Sequence, residues 1–180
     1  MIYALIGIVV LALIVMTIYN GLVSKKNKVK NSWGQIDVQL KRRFDLIPNI
    51  VETVKGYATH EKSTLEEVTA ARTKFMSAST PEDRMSANAS MTPILGKLMA
   101  VAEAYPDLKA NEGFINLQNQ LSDTENKIGF TRQFYNDVVM EYNNSVQMFP
   151  SNIVAGMFHF GTEPFFEAND AESAAPIVKF

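Results

Sequence analysis

The sequence contains no cysteine and only two histidines, His60 and His159, among its 180 residues. Disulfide bonds are therefore excluded, and no set of nitrogen and sulfur ligands is available for zinc. His60 and Glu61 begin the zinc-protease pattern H-E-x-x-H, but Thr64 stands where the second histidine is required. We expect no cofactor and no zinc site, while a carboxylate site for a hard cation stays open.

Motifs for nucleophilic catalysis and for phosphate binding are also missing. The sequence has neither a G-x-S-x-G nucleophile elbow nor a G-x-x-x-x-G-K phosphate loop. Three acidic pairs are present: Glu66 with Glu67, Glu82 with Asp83, and Asp123 with Glu125. None lies beside a base or nucleophile, so helix caps and solvated faces explain them. We expect no enzymatic activity, no catalytic residue and no small-molecule substrate.

Charged side chains are absent from the first 24 residues of the chain. The run from Ile2 to Val23, about 22 apolar or neutral residues, would extend about 33 Å as an α-helix, which matches the hydrocarbon thickness of a bilayer. A cleaved secretory signal would need a basic residue before the run and a small-residue cleavage site after it, and neither is present. The sequence therefore predicts a retained transmembrane anchor over residues 1–24.

Four lysines follow this run, and we call Lys25, Lys26, Lys28 and Lys30 the juxtamembrane lysine cluster. Positive charge next to a span marks its cytoplasmic side, which predicts an external N-terminus and a cytoplasmic C-terminal part. The lysines have two interpretations, as topology determinants or as contacts for anionic lipid headgroups. Because the net charge is only −2, the chain has no further basic stripe, and nucleic acid is not an expected partner.

Apolar residues after the anchor recur at spacings of three and four, which is typical of amphipathic helices. Pro48 interrupts the first stripe and predicts a break or a kink there. Thr80-Pro81 and Thr92-Pro93 each combine a capping residue with a proline, which predicts two helix starts. A short helix and a loop are expected between them, across residues 86–90.

The last apolar stripe runs from about Asn111 to Pro150 and predicts a helix nearly 60 Å long. Each amphipathic stripe needs a partner, and short connections favour antiparallel neighbours. We therefore predict an all-α fold, in which the transmembrane helix is followed by one domain, an elongated antiparallel bundle of about four helices over residues 25–150.

Aromatic residues are concentrated at the end of the chain. Residues 149–180 hold six of the eleven phenylalanines, and this tail is too apolar to remain free in water. Its glycines and prolines predict an irregular segment over residues 151–180, packed on the bundle, on the membrane or on a neighbouring subunit. The candidate tail contacts are Phe158, Phe160, Phe165 and Phe166.

The densest polar cluster places Arg42 and Arg43 beside Asp45, just before Pro48 and Asn49. In a structural interpretation, the arginines fasten neighbouring helices, and Asp45 or Asn49 caps a helix that restarts after Pro48. The alternative is a binding site for an anion or a partner at this corner.

Several long motifs occur in register along the chain: Tyr19-Asn20-Gly21-Leu22-Val23, the segment from Arg42 to Val51, Val54-Lys55-Gly56-Tyr57-Ala58, the segment from Tyr105 to Asn111, Phe149-Pro150-Ser151-Asn152 and Pro164-Phe165-Phe166-Glu167. With the apolar N-terminus before them, they closely resemble the bacterial LemA family. The resemblance implies a single-pass membrane protein with an external N-terminus and an all-helical cytoplasmic domain. It supplies no catalytic reaction and no catalytic residues, and family members look like membrane-associated accessory proteins.

These observations favour a non-enzymatic, membrane-tethered scaffold or accessory protein of the bacterial cell envelope, located in the plasma (inner) membrane. Its expected partners are membrane lipids, copies of itself and other membrane or envelope proteins. The alternative hypothesis is a peripheral lipid-binding or membrane-organising protein that uses the juxtamembrane lysine cluster and the aromatic tail.

Overall fold

The computed structural model describes residues 1–58 and 60–167 of the chain. Within those residues it contains six helices and no strand. The helices are α1 (Ile2–Lys55), α2 (Lys62–Ser77), α3 (Pro81–Ala104), α4 (Pro106–Lys109), α5 (Glu112–Gln147) and α6 (Ser151–Met157). The predicted all-α fold is confirmed.

Helix α1 joins the apolar run and the first amphipathic stripe after it in one helix of 54 residues. It continues through Pro48, so a break at that residue is the wrong alternative. Proline cannot donate to the main-chain oxygen of Phe44, four residues earlier, but Nε of Arg72 in α2 donates to that oxygen at 3.2 Å. Because no helix restarts here, Asp45 and Asn49 do not cap one.

Helix α3 begins as the sequence predicts. The Oγ1 atom of Thr80 accepts a hydrogen bond from the main-chain N–H of Asp83 at 3.1 Å, and Pro81 occupies the first turn. The second predicted start is wrong, because α3 continues through Pro93 to Ala104 without the expected loop. Buried apolar side chains on both sides of Pro93 favour one continuous helix despite the lost donor.

The long helix α5 also starts where the sequence indicates, since Oδ1 of Asn111 accepts from the main-chain N–H of Phe114 at 2.9 Å. The description of the whole tail as irregular is wrong for its first residues, because α6 follows directly after Pro150. Proline suits the residue before a helix, where no N–H is needed. The remainder of the predicted tail, residues 168–180, lies outside the described residues.

The chain divides into two compact units. Unit 1 comprises Met1–Ile36 and Thr131–Phe165, and unit 2 comprises Asp37–Phe130 with the described residues Phe166 and Glu167. These boundaries differ from the predicted division into residues 1–24, 25–150 and 151–180. The physical reasons are that α1 continues without a linker beyond the apolar run and that α6 packs against the end of that run.

Unit 2 has a core of large apolar side chains contributed by several helices. Phe44 of α1 and Phe75 of α2 stack with ring centroids 3.8 Å apart and planes 8° from parallel. Met91 and Leu98 of α3 and Phe114 of α5 are also fully buried. The core of unit 1 is centred on Leu22, Val154 and Ala155.

Candidate functional site

Two of the four juxtamembrane lysines make contacts within unit 1. Nζ of Lys25 donates to Oγ of Ser145 at 2.7 Å and lies 3.3 Å from Oε1 of Glu141. Nζ of Lys26 lies 4.0 Å from Oε1 of Glu163 and 5.9 Å from the ring centroid of Phe160. These lysines therefore fasten α1 to α5 and to the segment after α6.

The other two lysines of the cluster, Lys28 and Lys30, are exposed. They lie on α1 within about two helical turns of the end of the apolar run. Their ammonium groups are therefore available to anionic groups at a membrane surface.

Side chains of α5 hold the main chain of residues 160–164, which we call the strap. The Tyr142 hydroxyl donates to the oxygen of Gly161, and the Tyr135 hydroxyl donates to the oxygen of Pro164, each at 2.9 Å. The amide of Asn143 pairs with both main-chain groups of Glu163, donating from Nδ2 and accepting at Oδ1, both at 2.9 Å. The Asn143 side chain therefore makes the pair of hydrogen bonds with Glu163 that the main chain of a neighbouring β-strand would make.

The candidate tail phenylalanines do not share one environment. The ring of Tyr19 lies 4.7 Å from that of Phe158 and 5.7 Å from that of Phe160, so both pack near the end of the apolar run. Phe158 and Phe165 remain about half exposed, whereas Phe166 is buried. Only Phe158 and Phe165 keep much of their rings available for another surface.

In unit 2, the predicted polar corner is reduced to one buried guanidinium. Arg43 is 2% exposed, and its Nη1 donates to Oδ1 of Asn88 at 2.6 Å. Its Nη2 donates to Oγ1 of Thr92 at 3.3 Å and lies 3.1 Å from Oε2 of Glu125. The guanidinium thus connects α1, α3 and α5, which indicates a structural role.

The other residues of that predicted corner lie at the surface of α1. Arg42, Asp45, Pro48 and Asn49 are all exposed, so they do not converge with Arg43 on one site. Consecutive residues on a helix point in different directions, about 100° apart, which separates Arg42 from Arg43.

A second charged cluster in unit 2 was not predicted. Oδ1 of Asp37 accepts from Nη1 of Arg84, and Oδ2 of Asp37 lies 2.9 Å from Nζ of Lys41. Burial by itself would raise the pKa of Asp37, but the hydrogen bonds from Arg84 and Lys41 outweigh it and hold this pKa below its usual value. The sequence shows that Asp37 and Lys41 are four residues apart. It does not show that the distant Arg84 lies beside Asp37.

Unit 2 has a groove beside the end of α1 and along α2, with a volume of about 630 Å³. Its lining is mainly apolar, although charged side chains stand along it. The lining residues are Lys55, Ala58, Lys62, Leu65, Glu66, Thr69, Ala70 and Thr73. The lysines, threonines and alanines in this set carry no motif that sequence reasoning could have found. We call this feature the α2 groove.

Metal-ligating side chains do not cluster in the part of the chain that the structure describes. No group of three or more histidine, aspartate or glutamate residues there could hold a metal ion.

The LemA family model matches residues 32–180. The chain belongs to the LemA family. Protein LemA of Metamycoplasma hominis is 26% identical over 154 residues, which covers 85% of this chain and 70% of that protein. Magnetosome protein MamQ 2 of Paramagnetospirillum magneticum is 24% identical, and magnetosome protein MamQ of Magnetospirillum gryphiswaldense 22% identical, each over 186 residues. Both alignments cover 89% of this chain and 68% of the relative.

The match to the LemA family begins after the juxtamembrane lysine cluster and leaves out the apolar run. Among the described residues, one helix, α1, is long and apolar enough to cross a membrane. Its most apolar window is not buried by protein. This LemA-family protein is therefore membrane-associated.

Proposed function

We propose that this LemA-family protein is an accessory protein of a bacterial plasma (inner) membrane, spans it once, and binds other membrane or envelope proteins or copies of itself. We place the N-terminus outside and unit 2 in the cytoplasm. The apolar run and the four lysines after it support this orientation, because Lys and Arg are enriched on the cytoplasmic side of a span. No enzymatic step is part of the proposal.

The observation that carries the proposal is the α2 groove. Its volume of about 630 Å³ lies within the range of ordinary ligand clefts, and its mainly apolar lining could receive a helix or an extended segment of another protein. Lys55, Lys62 and Glu66 along it would set the orientation of that segment. Tethering to the membrane raises the effective concentration of neighbouring membrane proteins, so a weak contact suffices.

Site-specific photocrosslinking in native membranes tests this function. A photoreactive amino acid replaces Thr69 in the α2 groove or, as a control, the exposed Asn119 on α5. We expect protein adducts at Thr69, with few at Asn119, and mass spectrometry identifies the crosslinked chain. A strictly monomeric protein without adducts at Thr69 would overturn the proposal.

The exposure of Lys28 and Lys30 favours a second candidate function, direct recognition of anionic lipid headgroups. The single tryptophan, Trp33, lies on the same helix and serves as an energy-transfer donor to dansyl-labelled lipids. We expect more transfer to an anionic than to a zwitterionic probe, and loss of the difference in the Lys28→Gln, Lys30→Gln variant and at high salt.

Two exposed lysines elsewhere provide the control for this second function. The variant Lys74→Gln, Lys109→Gln makes the same change of net charge in unit 2. If both double variants retain the preference for the anionic probe, headgroup recognition by the lysine cluster is rejected.

A further inference from the structure

The cytoplasmic end of the apolar run is covered by protein in unit 1. Leu22 is buried against Val154 and Ala155 of α6, each 3% exposed or less. The side chains that pack around these three residues are Val15, Ile18, Tyr19, Val146 and Phe160. The last turns of the predicted span therefore share a core with α6 and the end of α5.

The position of Val15 fixes how deep this contact reaches. Val15 precedes Leu22 by seven residues, which is about 10 Å along a helix. It packs on the cluster of Leu22, Val154 and Ala155, and because Leu22 is two turns away on the same helix, its contact is with α6. When α1 spans the bilayer, α6 therefore reaches about 10 Å beyond Leu22 toward the membrane interior.

The composition around α6 suits that depth. The 21 residues from 142 to 162 contain no aspartate, glutamate, lysine or arginine, and the stretch is bounded by Glu141 and Glu163. Large apolar side chains in it face away from the protein, with 49% to 80% of their surface exposed. These residues are Met148, Phe149, Ile153, Met157 and Phe158.

Several main-chain groups in this segment find partners locally, which lowers the cost of placing them in hydrocarbon. The N–H of Asn152 and the hydroxyl of Ser151 both donate to the oxygen of Met148, at 2.8 and 2.9 Å. Pro150 has no N–H to satisfy. At the other end of α6, the N–H of Phe160 donates to the oxygen of Ala155 at 2.9 Å. The turn into α6 and the turn out of it are thus stabilised by their own hydrogen bonds.

We propose that residues 148–158, which we call the α5–α6 corner, form a second membrane-contacting element that inserts into the leaflet beside Lys25. The acyl chains of that leaflet cover Phe149, Ile153 and Met157. This inference requires the membrane association of α1 but not the binding of a protein partner in the α2 groove. Lipid is favoured over a second copy of the chain, because the contact with Val15 places the corner at bilayer depth in every copy.

Spin labels on single cysteines test the insertion, since the natural sequence has none to remove. Phe149→Cys and Ile153→Cys report on the corner, and Gln133→Cys reports on an exposed position of α5, 14 residues before the end of that helix. The full-length protein is studied in nanodiscs that hold one copy each. We expect the ratio of oxygen to nickel-chelate collisions to be several-fold higher at Phe149 and Ile153 than at Gln133.

Equal, water-like ratios at all three positions would overturn the proposal. A label at the corner that becomes shielded only in discs with several copies would also overturn it, in favour of an interface between copies. Adducts at Thr69 in the α2 groove are scored separately, so failure of the corner and failure of partner binding are distinguishable.

A second measurement avoids polar labels. In a Trp33→Phe background, Phe149→Trp exchanges one exposed aromatic ring for another, and Gln133→Trp is the control. Brominated acyl chains should quench the indole emission of the Phe149→Trp protein more than aqueous iodide does, with the opposite order for the control. Stronger quenching by iodide in the Phe149→Trp protein contradicts insertion.

Discussion

Arg72 donates from Nε to the main-chain oxygen of Phe44 at 3.2 Å, the oxygen that Pro48 deprives of its helical donor. A side chain of α2 thus replaces a hydrogen bond that α1 cannot make for itself. The two residues that matter, Pro48 and Arg72, are 24 positions apart in the sequence. Helix α1 tolerates Pro48 because Arg72, a residue outside that helix, supplies the hydrogen bond that the proline cannot make.

Removing this donor should destabilise unit 2. We expect Arg72→Met to lower the free energy of unfolding by about 1–3 kcal/mol, because the Phe44 oxygen loses its partner. The loss should be smaller in a Pro48→Ala background, where residue 48 regains its N–H. Guanidinium titration of the full-length protein in mild detergent measures both. Lys74→Met, an exposed position on α2, is the control, and an equal loss in both backgrounds would contradict the coupling.

The buried guanidinium of Arg43 should not tolerate replacement. We expect Arg43→Met to cost about 3 kcal/mol, because the buried Asn88 amide oxygen loses its donor along with the ion pair to Glu125. Arg43→Lys should recover little, since one ammonium cannot reproduce a fork that reaches two neighbouring helices. The neighbouring exposed Arg42→Met should stay within about 0.5 kcal/mol of the unmodified protein. Similar unfolding curves for the Arg42 and Arg43 variants would refute the assigned role.

Acid should weaken the cluster around Asp37 in a defined pH range. Its pKa is lowered in the folded protein, so its stabilising contribution is present above the unfolded value of about 4 and is lost as the pH falls through the folded value. The stability difference between the unmodified protein and Asp37→Asn should therefore shrink below about pH 4. Asp45→Asn, an exposed carboxylate on α1, controls for the change of net charge. A difference that grows with acidification would reverse the predicted sign.

Asn143 should hold the strap in place. We expect Asn143→Ala to speed hydrogen–deuterium exchange of the Glu163 amide, whose N–H donates to the Asn143 side chain. The adjacent exposed Asn144→Ala should leave that exchange unchanged. Unaltered exchange at Glu163 in the Asn143 variant would show that the strap does not depend on this side chain.

His159 should accept glycine more readily than a branched residue. Its φ of 56° lies in the left-handed region, at the end of α6 where the N–H of Phe160 bonds back to Ala155. We expect His159→Gly to retain or slightly raise stability and His159→Val to lower it by about 1–2 kcal/mol. Thermal unfolding in detergent compares the two, and equal stability would contradict the strain at this position.

Local sequence signals predicted the parts of the fold that local physics controls. Helical spacing, the cap at Thr80 and the start near Asn111 were readable because each depends on residues within one or two turns. For the opposite reason, Pro93 misled the prediction and Pro48 left it open between a break and a kink. Whether Pro48 ends α1 depends on Arg72, and whether Pro93 ends α3 depends on the packing of side chains on both sides of it.

Candidate sites were harder to predict for the same reason. Arg43 stood out in the sequence, but its partners Asn88, Thr92 and Glu125 are 45 to 82 positions away. The α2 groove is lined by common residue types, and only the folded structure shows that they border one cavity. The apolar side chains of α6 were visible, whereas their contact with Val15 and Leu22 required the three-dimensional structure.

The uninterrupted course of α1 through unit 1 has a mechanical consequence. A flexible linker after Ser24 would isolate the residues beyond the bilayer from changes in the angle of the span. A continuous helix instead transmits that angle to residues 25–36 and to the parts of α5 that pack on them. In the proposed arrangement, α1 tilts more in a thinner bilayer, so a change of bilayer thickness changes the orientation of the part of unit 1 that lies beyond the bilayer.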